Sequence, residues 1–387
     1  MRRRRLLVIT RNLPPLTGGM ERLLARAIGE LAQRFDVCVI GPAGSRSLLP
    51  ASVRVHTTPG SGLLGYLVSS MPLALWCAWR FRPDGVLAGS GVTAPVARVA
   101  AAICGVPYAV FAHGLDVIAR SAIYQRWFVP CLRAADLVVA NSKNTRRLCA
   151  EAGVPQARLA VLPPGVEYPP AAVTIRFRAS FGIGGRPLLL SVGRIVPRKG
   201  LARFIERTLP AIVSACPDVC LAIVGEEGAQ ALAGAGSETA AIERAIGTTG
   251  LANAVVRCGR VADELLTAAY QEADLFVFPV LDLPGDVEGF GMVAIEAAAA
   301  GLATVGFRAG GLEDAVIDGS TGRLAPPERY DTLASMIIDE LRSGRELHRA
   351  ACREHAARHS WGPYGAALTA HLERMLEGVA ADLQAER

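Results

Sequence analysis

Short apolar runs alternate with helix-period stretches along nearly the whole chain, and this alternation narrows its possible folds more than any other feature. Leu6–Thr10, Val37–Ile40, Gly85–Ala88, Tyr108–Ala112, Leu137–Ala140 and Leu159–Leu162 read as buried strands, with helical patterns such as Glu21–Phe35, Val92–Cys104 and Asn144–Ala152 between them. Strands that are apolar on both faces need cover on both faces, which right-handed β-α-β crossovers around a parallel sheet supply. A Pro/Gly-rich break runs from Pro163-Pro164-Gly165 through Pro169-Pro170 to Gly184-Gly185-Arg186-Pro187 and reads as an interdomain linker. The alternation then restarts with Leu188–Val192, Val219–Val224, Val255–Cys258, Leu275–Phe278 and Ala303–Phe307, joined by helices such as Leu201–Cys216 and Ala262–Glu272. From Tyr330 to Leu383 the pattern is helical throughout. The expected fold class is α/β, with two Rossmann-like halves facing a central cleft; 387 residues suit two such domains.

Hydrophobic residues make up 51% of the chain and charged residues 20%, which excludes a disordered protein. The net charge of +6 favours anionic partners without setting their class, and no nucleic-acid partner is expected. Of 41 basic residues only Lys143 and Lys199 are lysines, so a lysine at Lys199 stands out against an arginine background. Nine scattered cysteines with no Cys-x-x-Cys pair read as reduced thiols of a cytoplasmic protein. The histidines show no metal-ligand spacing, no metal site is expected, and His348, His355 and His359 read as one solvated helix face. Leu63 to Trp79 is uncharged and carries Tyr66, Trp76 and Trp79, but Ser69, Ser70 and Pro72 interrupt it. It reads as a core or capped surface helix, or as an interfacial helix resting on a membrane beside Arg80 and Arg82. The basic leader before Leu6 precedes an apolar run too short for a secretion signal.

In open parallel sheets ligands bind beyond the carboxyl ends of the strands. Glu288-Gly289-Phe290-Gly291-Met292-Val293-Ala294-Ile295-Glu296 follows such a strand and opens an Ala-rich helix, whose first N–H groups form an anion site. If both glutamates were helical, about 12 Å of rise would separate them, enough for a sugar at one end and a ribose at the other. Gly193-Arg194-Ile195-Val196-Pro197-Arg198-Lys199-Gly200 places cations on a glycine-edged loop suited to a diphosphate. Thr17-Gly18-Gly19-Met20-Glu21 would let backbone amides approach a ligand, and His113-Gly114-Leu115-Asp116 could offer an imidazole to a sugar hydroxyl or be structural. Gly89-Ser90-Gly91-Val92-Thr93-Ala94 fits a dinucleotide fingerprint, yet it is not in the first β-α unit and no acid follows at the next strand tip; tight packing is its expected use.

Together these motifs resemble the retaining GT-B-fold glycosyltransferases of family 4 (glycosyl transferases group 1) over essentially the whole chain. Glu288 to Glu296 matches the family's E-x7-E segment, supported by Pro163-Pro164-Gly165-Val166-Glu167, Gly225-Glu226-Glu227-Gly228 and Gly259-Arg260-Val261. The resemblance implies domains of residues 1–168 and 169–362, with a helix of about 363–387 crossing back to the first. By the same resemblance Arg194 and Lys199 would hold the donor diphosphate, and Glu296 the ribose. Glu288 and His113 would contact the donor sugar. The turn Gly289-Phe290 and the amides of Gly291, Met292 and Val293 would meet the distal phosphate, Gly18 and Gly19 would approach the diphosphate, and Arg260 and Val261 would border the base. Pro163-Pro164-Gly165 departs from a common Pro-Asn-Gly, so the linker-side loop differs. Asp282 to Gly291 resembles the branch of bacterial mannosyltransferases acting on lipid-linked acceptors.

The implied activity is hexose transfer, without a cofactor or metal, from a nucleotide-sugar donor, GDP-mannose-like or a UDP-sugar, to a hydroxyl acceptor. Surface polysaccharide or glycolipid synthesis is the expected setting, with a lipid-linked acceptor and peripheral contact at the inner membrane face both allowed. A nucleotide-sugar epimerase, a phosphorylase-like enzyme and an NAD-dependent oxidoreductase are the alternatives. No carboxylate is nominated as a nucleophile on the far face of the sugar, which favours same-face substitution assisted by the leaving phosphate.

Overall fold

The computed structural model describes residues 2–16, 18–60, 62–170, 173–227 and 237–385. Its first sheet contains β1 (Arg5–Ile9), β2 (Asp36–Pro42), β3 (Arg54–Thr58), β4 (Gly85–Ala88), β5 (Tyr108–Ala112), β6 (Leu137–Ala140) and β7 (Leu159–Val161). All pair in parallel, in the order β3-β2-β1-β4-β5-β6-β7. The second contains β8 (Leu188–Val192), β9 (Cys220–Val224), β10 (Val255–Gly259), β11 (Leu275–Phe278), β12 (Thr304–Phe307) and β13 (Gly322–Ala325). These too are parallel, ordered β10-β9-β8-β11-β12-β13. Each sheet therefore has a switch point where the strand order reverses, between β1 and β4 and between β8 and β11.

The chain divides into two compact units, Met1–Gly165 with Trp361–Arg387, and Val166–Ser360. Val166 falls in the second because its N–H donates to the His359 carbonyl at 2.7 Å and it bridges Ser360. Most of the Pro/Gly-rich stretch read as a linker thus lies inside the second unit. The last helix, Trp361–Ala385, belongs to the first unit. A Cβ at Gly365 would come within 2.6 Å of the Glu30 side chain on the Gly19–Leu31 helix, and one at Gly85 within 2.7 Å of Leu376. Bare α-carbons let this helix lie close against the unit's own helix and strand.

The strands of both cores are near-continuous apolar runs, as sheets covered on both faces require. Three edge strands escape that pattern: β3 is Arg-Val-His-Thr-Thr with one buried residue, β10 is Val-Val-Arg-Cys-Gly with none, and β13 is a four-residue strand containing Arg323. The helix read as Leu201–Cys216 breaks at Thr208 into Leu201–Arg207 and Leu209–Ala215, because Pro210 lacks an N–H and its ring crowds the preceding turn.

The solvated-face reading of the C-terminal histidines is overturned. His348 and His355 are buried with Cys352 and Ala356 on the inner stripe of the Glu346–Ala357 helix, and His359 is half-buried. His348 Nδ1 lies 2.8 Å from the Ser320 carbonyl and its Nε2 3.0 Å from the Glu340 carboxylate. The helix's arginines made the segment look wet, but the i, i+4, i+7 spacing of His348, Cys352 and His355 sets the buried face.

Gly62–Phe81 forms one continuous helix despite Pro72. By length and composition it could cross a membrane, yet Tyr66, Ser70, Ala74, Cys77, Ala78 and Phe81 are buried on the first unit. Its other face exposes Leu64 (75%), Val68 (67%), Trp76 (48%) and Trp79 (70%) to solvent, so it is a surface helix with an apolar outer side.

Candidate active site

At the second unit's switch point, the loops leaving β8 and β11 lie directly on each other. Gly200 has φ +68°, and a Cβ there would meet the Pro279 carbonyl at 2.1 Å, so glycine is required on both counts. The Leu281 N–H donates to the Arg198 carbonyl at 2.8 Å. This contact delivers the short 3-10 turn Pro197–Lys199 against Glu288. Lys199 Nζ donates to Glu288 Oε2 at 2.8 Å and sits 4.2 Å from the centre of the Phe278 ring. Arg198 Nε donates to the same carboxylate oxygen at 3.2 Å, and its Nη1 to Asp286 at 3.3 Å.

All three central groups are largely removed from water. Burial pushes the Glu288 carboxyl up, but the Lys199 ammonium and the Arg198 guanidinium outweigh it and hold it down at about 2. Burial pulls the Lys199 ammonium down against the pull of Glu288. Glu288 is thus held as a carboxylate between two cations. Arg194, by contrast, is exposed and makes no hydrogen bond or ion pair with a described residue, and its charge reaches Lys199.

The two glutamates do not share a helix. Gly291, with φ +88°, caps the Met292–Ala299 helix, leaving Glu288 in the preceding turn and Glu296 in the second turn. Glu296 is half-buried and accepts from the Tyr270 hydroxyl at 3.0 Å. Met292 and Val293 supply the helix's opening N–H groups, a type of backbone site that suits an anion. Phe290 turns inward, buried, with its ring 6.0 Å from that of His359. The Gly289-Phe290 backbone rests on a glycine pair that the sequence analysis passed over. A Cβ on Gly311 would meet the Gly289 carbonyl at 2.1 Å, and the Gly311 N–H donates to the Glu288 carbonyl at 2.9 Å. Two adjacent glycines directly after a strand, here Arg308-Ala309-Gly310-Gly311 after β12, were the available signal.

The loops after β8, β9 and β10 are stitched edge to edge. A Cβ on Gly225 would lie 1.9 Å from the Gly193 carbonyl, and the Ile195 N–H donates to the Glu226 carbonyl at 3.0 Å. The Arg260 N–H donates to Glu226 Oε1 at 3.4 Å, leaving the Arg260 side chain exposed and Val261 half-buried. Gly228 and Thr17, both read as motif residues, lie outside the described residues.

In the first unit, side chains bonded to backbone groups hold the loops after β4 and β5 together. His113 directly follows β5; its ring is buried, stacks on Phe111, and has Nε2 2.9 Å from the Gly89 carbonyl. With Nε2 donating there, Nδ1 is left as a buried acceptor with no partner among the described residues. The Asp116 carboxylate accepts from the His113 N–H at 2.8 Å and from the Gly91 N–H at 2.9 Å, joining the loops after β4 and β5. Gly89 is packed against Thr10 and Leu24, where a Cβ would come within 2.4 Å of both, so the dinucleotide-like glycines serve close packing. Gly18 caps the Gly19–Leu31 helix, and the Glu21 carboxylate folds back beside it, held by Asn12 Nδ2 at 3.2 Å.

Residues 17–168 match the Glycosyltransferase Family 4 domain and residues 186–343 the Glycosyl transferases group 1 domain. The chain is 30% identical to the GDP-mannose-dependent alpha-(1-6)-phosphatidylinositol monomannoside mannosyltransferase of Mycolicibacterium smegmatis, over 94% of this chain and 97% of that one. It belongs to the family 4 glycosyltransferases. This enzyme is also 27% identical to a GDP-mannose-dependent alpha-mannosyltransferase of the same organism, over 96% and 98% of the two chains. Among solved structures it is similar to Anabaena HepE in complex with UDP and glucose, with a TM-score of 0.77 and 21% identity over 96% and 100% of the two chains. Sucrose-phosphate synthase from Thermosynechococcus elongatus shares the fold with a TM-score of 0.78 at 20% identity, over 97% and 100%. The fold is GT-B, and the activity is transfer of a hexose from a nucleotide-sugar to a hydroxyl.

Proposed function

We propose that this glycosyltransferase moves mannose from GDP-mannose to a hydroxyl of a membrane glycolipid, with retention at the anomeric carbon and at the cytoplasmic membrane face. The mannosyltransferases it is similar to use GDP-mannose by name, and the first of them acts on phosphatidylinositol monomannoside. One observation carries the chemistry: the buried Lys199–Glu288–Arg198 cluster beside the Met292 helix start. Charge grows on the departing diphosphate as the anomeric C–O bond breaks, and cations with helix amides fixed in a dry site stabilise that charge at little reorganisation cost. Exposed Arg194 completes the diphosphate grip and Glu296 takes the ribose; in the first unit the unpartnered His113 Nδ1 is the acceptor offered to a sugar hydroxyl.

Glu288 bears on the route by which retention would be reached, not on retention itself. A double displacement needs a free carboxylate nucleophile. Glu288 is committed to two cations, which favours same-face substitution: the acceptor oxygen bonds the anomeric carbon, and its proton passes to the leaving phosphate oxygen. Nine free thiols fit a reducing compartment, and the outward Leu64, Val68, Trp76 and Trp79 fit a lipid surface. The test presents donors to the enzyme with vesicles carrying a mannosylated phosphoinositide. GDP-mannose is expected to raise Tm and yield an α-mannoside by NMR. Stabilisation by UDP-sugars but not GDP-mannose would remove the donor assignment, and a β-linked product would remove retention.

A further inference from the structure

We propose that Cys38, His56 and Cys77 form a thiolate–imidazole site for a zinc ion in the first unit, separate from the glycosyl-transfer loops. Cys38 lies on β2, His56 on the edge strand β3, and Cys77 on the Gly62–Phe81 helix that covers both strands. Their ligand atoms all lie within 4.8 Å of one another. The register pairs Cys38 with Arg54 and Ile40 with His56, so Cys38 and His56 stand two residues out of step on the same face of adjacent strands. Both thiols are 1% exposed while His56 is half-buried, which gives two dry sulfurs and one side open for an ion to enter.

The donor set selects the ion. Two thiolates and one imidazole suit zinc, which takes sulfur at about 2.3 Å and nitrogen at about 2.0 Å in a tetrahedron. Ligand atoms around such an ion sit closer together than the present limit, so a small inward shift of the side chains completes the geometry. Two thiolate charges cancel the two of the cation, leaving a neutral centre that a buried position tolerates. The fourth position lies toward the open side and takes water. Binding is balanced by protons: two S–H bonds are lost, two Zn–S bonds form, and two protons go to solvent. His56 is further oriented by the Trp76 ring, edge-on at 5.1 Å. Zinc here would tie the edge strand and the apolar surface helix to the sheet.

The experiment uses the full chain without a histidine tag, reduced, stripped with chelator and titrated with Co²⁺ and then Zn²⁺. One Co²⁺ per chain is expected, with thiolate-to-cobalt charge-transfer absorption, intense tetrahedral visible bands, displacement by Zn²⁺ and a Tm that rises with added zinc. Cys38→Ser and Cys77→Ser each weaken the charge-transfer band. His56→Ala keeps it and lowers affinity by at least the roughly 10–100-fold that loss of an outer partner costs. If the buried serine variants do not fold, His56→Ala on the edge strand carries the test. No cobalt uptake by the reduced wild-type chain, or uptake unchanged in His56→Ala, would overturn the site, as would a Cys38–Cys77 disulfide chain that takes up no metal after reduction.

Discussion

The two sheets share a strand order apart from a seventh strand in the first, yet buried ion pairs join the loops of one and side-chain-to-backbone hydrogen bonds those of the other. In the second unit the loops after β8 and β11 bury Lys199, Arg198 and Glu288 together. In the first, the loops after β4 and β5 are joined by the Asp116 carboxylate accepting backbone N–H groups and by His113 on a carbonyl. The scaffold decides where a ligand is met; residues just past the strand ends decide whether it is met by charge or by hydroxyl-sized polar groups. A diphosphate needs the first kind of site and a sugar the second.

Lys199→Ala against His113→Ala breaks this comparison most directly. Lys199→Ala should lower kcat by about 10²–10³-fold or more, since it removes a donor to the leaving group. It should also cost about 1–3 kcal/mol in urea unfolding, because Glu288 loses one of its two buried cationic partners and keeps Arg198. His113→Ala should lower kcat/KM only about tenfold, the effect of one hydrogen bond to a sugar hydroxyl. Equal losses in the two variants would erase the distinction.

A second test concerns the surface of the first unit. Trp76→Ser with Trp79→Ser should reduce flotation with anionic vesicles about tenfold while leaving Tm and donor binding unchanged. Retained flotation would put the lipid contact elsewhere.

The smallest effect is in acid. Burial, the neighbouring His359 ring and Arg358 hold the His355 imidazole down at about 4, against a weak upward pull from its contact with the Ala315 carbonyl. The unfolded chain therefore binds a proton that the fold refuses, so stability is full above about pH 6.5 and falls toward pH 4. Glu288 adds a separate loss: its contribution is present above about 4.5, the ordinary carboxyl value, and disappears as pH falls toward about 2. His355→Gln should flatten the upper part of the urea-midpoint profile and leave the lower part intact. Both groups belong to the second unit, which should be the first to lose structure as acid is added.

The buried strands were legible because apolar runs between turn residues have few other uses; β4, β5, β6, β8 and β11 match residue for residue. Edge strands β3 and β13 were not, since one-sided cover lets Arg54, Thr57 and Arg323 stay in sequence patterns that look like loop. Lys199 and Glu288 were legible as chemistry but not as partners, because their contact depends on Gly200 fitting under Pro279, a packing fact with no local signature. The rise of about 12 Å that a single helix over Glu288 to Glu296 would give does not apply, for a related reason. Gly291 takes a left-handed backbone between them. The Cys38, His56 and Cys77 set was invisible to any spacing rule, since two strands and a helix bring it together.

The Trp361–Ala385 helix, seated on Glu30 and Gly85, has a consequence for synthesis. The stretch Val166–Ser360 is uninterrupted and can mature as it leaves the ribosome, whereas the opening 165 residues must wait for the final helix to close their surface. The part made first is the part finished last, and a premature stop near the end of the message would leave the Val166–Ser360 unit sound and the amino-terminal unit exposed to proteases.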